Sequence, residues 1–92
     1  MSFVAEQAAT IVDVREPHEF VGELGHVEGA ENVPLSEIAQ AALDWRFDQP
    51  LLFVCRSGRR SRGVCDQLVK RGFRNVVNLR DGMLGYRKAT SL

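Results

Sequence analysis

A chain of 92 residues, with 45% hydrophobic and 26% charged side chains, fits one small globular domain near the lower size that a single core can stabilise. No apolar run approaches membrane-spanning length, and the opening Met1-Ser2-Phe3-Val4-Ala5-Glu6 lacks the basic and apolar stretches of a secretion signal, so no membrane partner and a cytoplasmic location are expected. Net charge is zero, yet residues 1–50 carry −8 and residues 51–92 carry +8, so the second half should steer anions toward itself.

Thr10 to Val14 reads as a β-strand that Arg15-Glu16-Pro17 ends, and Pro17 suits the first position of a short helical turn through Val21. Gly22 to Gly29 is loop, followed by a very short strand within Ala30 to Pro34. Ser36 is the expected N-cap of a helix whose apolar stripe is Ile38, Ala39, Ala42 and Leu43. Trp45 and Phe47 are expected at that helix's end, as core or lid residues. Leu51 to Val54 shows no polar alternation, the pattern of a strand covered on both faces of a parallel sheet.

A helix over residues 59–71 should bury Val64, Cys65, Leu68 and Val69, with Gly72 and Phe73 closing its C-terminus. Asn75 to Leu79 is a further strand, and Met83 to Tyr86 begin a last helix. Strands alternating with helices at short spacing give an α/β domain: a small, mainly parallel sheet of four or five strands, helices on both faces, one unit over residues 1–92.

Cys55 ends the third of these strands and opens Arg56-Ser57-Gly58-Arg59-Arg60-Ser61, directly before a helix. In a parallel sheet, sites form at the carboxyl ends of strands. A thiol attacks only as thiolate, and a helix N-terminus, a curled loop backbone and nearby guanidiniums all favour that anion. Gly58 permits the turn. The same groups would hold a small anionic donor above the sulfur, and the loop contains no general base. Cys55 is therefore the candidate catalytic residue, with Arg56, Ser57, Gly58, Arg59, Arg60 and Ser61 the candidate substrate-binding residues. A core cysteine would need no cationic loop.

The other candidates have plainer readings. Cys65 shares the apolar stripe of its helix and should be core, too far from Cys55 for a disulfide. The two cysteines and two histidines match no zinc spacing, and no Cys-x-x-Cys pair is present; neither a metal nor another cofactor is expected. His26 should brace the glycine-rich turn by hydrogen bonds, and His18 should lie on the surface. The arginines between Arg56 and Arg62 lack the interleaved aromatics of a nucleic-acid surface, so no nucleic-acid partner is expected.

At these residues the chain resembles the rhodanese family of sulfurtransferases. Asp13-Val14-Arg15-Glu16-Pro17-His18-Glu19-Phe20 is similar to its opening motif, and Gly25 to Leu35 to its second. Cys55 to Ser61 is similar to its active-site loop, and Gly72-Phe73 with Leu79-Arg80-Asp81-Gly82-Met83 to its tail. The resemblance implies a two-step sulfur transfer. Cys55 would take sulfur from thiosulfate or a persulfide donor, become a persulfide, and pass the sulfur to cyanide, a thiol or a protein acceptor. The loop amides would hold the thiolate and persulfide, Arg59 or Arg60 the donor's sulfonate, and Arg15 would be a buried structural arginine paired to a carboxylate. The family has a further strand and helix before its first motif, whereas ten residues precede Ile11, so part of the N-terminal edge strand and helix is expected to be missing. The family often has Gly-Gly at Asp81-Gly82 and Trp at Tyr86.

Two other functions use similar parts. A Cys-based phosphatase or arsenate reductase holds its oxyanion in a loop with five residues between Cys and Arg, but the sixth position after Cys55 is Ser61. A non-catalytic binding module of the rhodanese type often lacks the cysteine that this chain retains.

Overall fold

The computed structural model describes residues 9–90. Its sheet contains β1 (Thr10–Asp13), β2 (Glu31–Asn32), β3 (Leu51–Val54) and β4 (Val76–Asn78), all parallel, in the order β2-β1-β3-β4. The central pair is in register from Thr10 opposite Leu51 to Asp13 opposite Val54. Four helices accompany the strands among the described residues: α1 (Pro17–Phe20), α2 (Ile38–Ala41, flanked by 3-10 turns at Leu35–Glu37 and Ala42–Asp44), α3 (Arg59–Lys70) and α4 (Gly82–Thr90). The expected shortening of the N-terminal edge strand and helix concerns residues that lie outside the described ones.

Alternation along the central strands sorts their side chains. Val12, Val14, Leu51, Phe53 and Cys55 form one cluster with Ile38, Ala42, Val64, Cys65, Leu68 and Phe73. Trp45 packs edge-on against Phe53 at 5.8 Å, and Phe47 meets Phe73 edge-on at 4.9 Å. The intervening strand positions Asp13 and Val54 point away from this cluster and are fully buried, as is Met83 of α4.

Three local expectations are corrected. Ser36 does not cap a helix: the buried Pro34 occupies the cap and Leu35 donates to the Val14 carbonyl at 3.1 Å, so a 3-10 turn has begun before Ser36 can act. Of that stripe only Ile38 and Ala42 are buried; Ala39 and Leu43 are exposed because the α-helical portion is a single turn and the chain leaves it in 3-10 form. On α3, Val69 is 57% exposed, since it stands about 100° around the helix from the buried Leu68. The C-terminal cap is as expected: Gly72 has φ 104°, and the Phe73 N–H reaches the Leu68 carbonyl at 3.0 Å.

Candidate active site

Strand order reverses direction between β1 and β3, the point at which open parallel sheets form a crevice along their carboxyl edge. The apolar β3 carries Cys55 to its rim, where the residue is 1% exposed. Gly58, at φ 94°, turns the loop and caps α3; a Cβ there would sit 3.2 Å from the Asp81 nitrogen and 3.3 Å from the Leu79 carbonyl oxygen. The turn aims donors at the sulfur: Gly58 N–H at 3.1 Å, Ser61 N–H at 3.4 Å and the Ser61 hydroxyl at 3.3 Å from Sγ.

These donors decide the thiol's acidity. Burial pushes the Cys55 pKa up, but the Ser61 hydroxyl and the amides of Ser61, Gly58 and Ser57 outweigh burial, and the net shift is downward. Cys65 goes the other way, pushed up to about 11 by burial and by the charge of Asp66. The two thiols of one chain are thus shifted in opposite directions.

The loop is also held from behind. The first amides of α4, Met83 and Leu84, donate to the Cys55 and Arg56 carbonyls at 2.8 and 3.0 Å. They would otherwise be unpaired at a helix start. This contact requires Gly82, whose added Cβ would lie 2.4 Å from the Cys55 oxygen. Asp81 before it adopts φ 54°, a region that Asp enters more readily than most residues.

The candidate residues occupy distinct environments. Gly58 and Ser61 are buried against the sulfur, whereas Arg56, Ser57 and Arg59 are exposed. Arg60 binds Glu19 of α1 in two hydrogen bonds of 3.0 Å each. That contact holds the Glu19 carboxyl down to about 2, despite an opposing contribution from burial. Of Arg59 and Arg60, Arg59 is therefore the one without a carboxylate partner among the described residues. A cavity of about 390 Å³ whose lining includes Arg59, Arg62 and Arg80 together with Asn78 and the carboxylate residue Asp81 lies beside the loop. A larger one of about 440 Å³ runs along Ile38, Gly63, Val64 and Leu68, and neither cavity has Cys55 among its lining residues.

Arg15 has the buried structural role expected. Its Nε and Nη2 bind the Asp13 carboxylate, the closest contact being 2.7 Å, and its remaining donors reach the Gly25 and Glu19 carbonyls. His26 bonds the Phe20 carbonyl through Nδ1 at 2.9 Å and stacks on the Phe20 ring. Two residues at the site were not singled out from sequence. Glu19 belonged to a quoted motif, but its contact spans 41 positions. Asn78, which bonds both Ser61 Oγ and the Gly58 carbonyl, had one signal: a polar side chain at the carboxyl end of a strand.

Among the described residues, no three His, Cys, Asp or Glu side chains gather to hold a metal ion, and no helix is long and apolar enough to cross a membrane. Residues 3–89 match the family model described as Rhodanese-like domain. The chain belongs to the rhodanese-like domain family. It is 40% identical over 74 residues to the uncharacterized protein YqhL of Bacillus subtilis, covering 80% of this chain and 57% of that relative, so it spans little more than half of YqhL. It is 30% identical over 91 residues to the thiosulfate sulfurtransferase GlpE of Pseudoalteromonas translucida, covering 99% of this chain and 85% of GlpE. The crystal structure of a rhodanese-like domain protein from Staphylococcus aureus superposes with a TM-score of 0.78 at 26% identity, covering 92% of this chain and 80% of that one. Membership agrees with the four-stranded parallel α/β architecture.

Proposed function

We propose that this chain, as a single rhodanese-like unit over residues 1–92, is a sulfurtransferase that carries sulfur as a Cys55 persulfide. The observation that carries the reading is the set of three donors, from Gly58 and Ser61, converging on one buried sulfur. Such a cradle favours an anion at Sγ without a neighbouring base. The family membership and the likeness to a relative named as a thiosulfate sulfurtransferase support sulfur transfer as its chemistry.

In the first step the Cys55 thiolate attacks the outer sulfur of thiosulfate. The new Sγ–S bond forms as the S–S bond of the donor breaks, and sulfite leaves with the electron pair. The persulfide now bears its negative charge on the outer sulfur. In the second step an acceptor, cyanide in the assay or a thiol or protein in a biological setting, attacks that outer sulfur. The Sγ–S bond breaks, and its electron pair returns Cys55 to the thiolate. A persulfide donor would enter the same cycle with a thiolate as leaving group.

Amides from Arg56 to Ser61 form the cradle for the thiolate and the persulfide. Arg59 holds the sulfonate end of thiosulfate, because Arg60 is committed to Glu19. No cofactor enters this cycle.

The test is the intact mass of reduced protein after incubation with thiosulfate, beside Cys55→Ser. Gain of one sulfur atom only in the unsubstituted chain, reversed by cyanide with release of thiocyanate, is the expected result. No gain in a folded protein, with thiosulfate and then with a small-molecule persulfide, would overturn it.

A further inference from the structure

Ser61 has one hydroxyl proton and two acceptors facing it. Its Oγ lies 3.3 Å from Cys55 Sγ and also makes a very short contact with Asn78 Oδ1. A serine hydroxyl can accept twice but donate only once. The orientation of Asn78 is not free: its Nδ2 donates to the Gly58 carbonyl at 3.0 Å, and a carbonyl can only accept. Flipping the amide would place two oxygens against each other. Nδ2 therefore faces Gly58, and Oδ1 must face Ser61.

This geometry sets the direction of the proton with each state of the sulfur. When Cys55 is a neutral thiol, S–H donates to Ser61 Oγ and the hydroxyl donates onward to Asn78 Oδ1. When the sulfur is ionised it only accepts, and an anionic acceptor outcompetes an amide carbonyl. The hydroxyl then turns to Sγ, leaving Oδ1 facing an oxygen lone pair.

We propose that Asn78 is a positioning residue that competes with Cys55 for the single proton of Ser61, holding that hydroxyl away from the sulfur until the sulfur is ionised. The proposal rests on Cys55 being the reacting thiol. It gives the polar end of β4 a part in the site that is separate from the backbone cradle. After sulfur loading, the charge moves to the outer sulfur and Sγ no longer carries it. The hydroxyl can return to Asn78 at that stage.

The charged groups around the sulfur are Arg56 and Arg59 of its own loop, Arg60 and Arg62 of α3 (Arg60 balanced by Glu19 of α1), the buried Asp13–Arg15 pair behind them, and Arg80 and Asp81 in the turn after β4. All of them stay constant in the test. Asn78→Leu and Asn78→Asp both lose the bond to the Gly58 carbonyl, but one removes the acceptor and the other makes it anionic. The readout is the pH profile of Cys55 alkylation by iodoacetamide, with the labelled residue identified by peptide mass and folding checked by circular dichroism. It reads the thiol whether or not the protein transfers sulfur, so its outcome is independent of the mass test above.

Asn78→Leu should move the Cys55 midpoint to lower pH, raising the ratio of thiolate to thiol by roughly three- to tenfold at fixed pH, as expected for the loss of one neutral hydrogen bond from the thiol state. Asn78→Asp should move it to higher pH. In a Ser61→Ala background the downward shift from Asn78→Leu should disappear. Should Asn78→Leu not fold, Asn78→Ala poses the same question. A midpoint that rises or stays fixed when the acceptor is removed, or a downward shift that survives without Ser61, would overturn the proposal. Simple loosening of the loop would move both Asn78 variants upward.

Discussion

The Arg60 guanidinium and the Glu19 carboxylate meet in two parallel hydrogen bonds of 3.0 Å, tying the first turn of α3 to α1 across the crevice between β1 and β3. Two-pronged contact is the favourable geometry for this pair, but the side chains are 36% and 22% exposed, so solvent screens it. Its contribution should be about 1 kcal/mol or less.

The pH dependence of that contribution has a definite sign. Glu19 has its pKa lowered from 4.5 to about 2, so the unfolded chain binds more protons than the folded one between those values. The stabilisation is therefore fully present above pH 4.5 and lost as pH falls toward 2. Glu19→Gln should lower the urea midpoint at neutral pH, and the difference from the unsubstituted chain should shrink across that acidic window. A difference that stays constant down to the bottom of the window would show that the ion pair is not its source.

Asp13 and Arg15 form a different kind of pair, with side chains 0% and 2% exposed. Both charges are removed from water, and all three guanidinium nitrogens donate hydrogen bonds, to Asp13, Glu19 and Gly25. Asp13→Ala strands a buried cation and should cost about 3–5 kcal/mol, read from equilibrium urea unfolding. Asp13→Leu combined with Arg15→Met removes both charges and should recover part of that loss. If the double variant is less stable than either single one, the pair contributes more than mutual neutralisation.

The parts of this molecule legible in the sequence are those set by neighbouring residues. An apolar run, then Cys55, then Gly58, then an amphipathic helix is a local statement, and strand, turn and helix follow it. Gly72 likewise marks the end of α3 from sequence alone. What could not be read depends on how distant elements come together. Asn78 reaches Ser61 only because β4 pairs in parallel with β3, with Asn78 opposite Phe53. Glu19 reaches Arg60 only because α1 and α3 border the same crevice. Ser36 failed as a cap for a related reason: its neighbour Leu35 is drawn to the end of β1 by a hydrogen bond to Val14 that local preference does not contain.

Glycines separate support of the site from local helix preference. A methyl at Gly82 would collide with backbone, 2.4 Å from the Cys55 oxygen and 2.7 Å from the Arg56 carbonyl carbon, at a φ of 55° that most side chains avoid. Gly82→Ala should destabilise by roughly 1–3 kcal/mol and slow sulfur loading, since the loop behind Cys55 must shift. Gly63, in the middle of α3, has nothing within 4 Å of an added Cβ. Gly63→Ala should instead stabilise by about 0.5–1 kcal/mol, through helix preference alone. Urea unfolding of the two variants checks the signs, and equal effects would refute the assigned role of Gly82.

The opposite shifts of the two thiols predict selective chemistry. Cys55 is lowered from 9.0 because the donors of its loop outweigh burial, whereas Cys65 is raised to about 11 by burial and by Asp66. Only the thiolate reacts, so iodoacetamide at neutral pH should label Cys55 and spare Cys65 in the folded protein. The Cys55 rate should reach half its maximum below pH 9.0, and in urea both cysteines should titrate together near that value. Ser61→Ala removes a donor to the sulfur and should move the Cys55 midpoint upward, with slower loading from thiosulfate at neutral pH. The loss should diminish as pH rises past the new midpoint, because an ionised sulfur no longer needs help to lose its proton. A loss that remains equally large at high pH would mean that Ser61 acts on the donor or on the persulfide rather than on the acidity of Cys55. Mass spectrometry of the labelled peptides, together with loading rates across the same pH range, separates these outcomes.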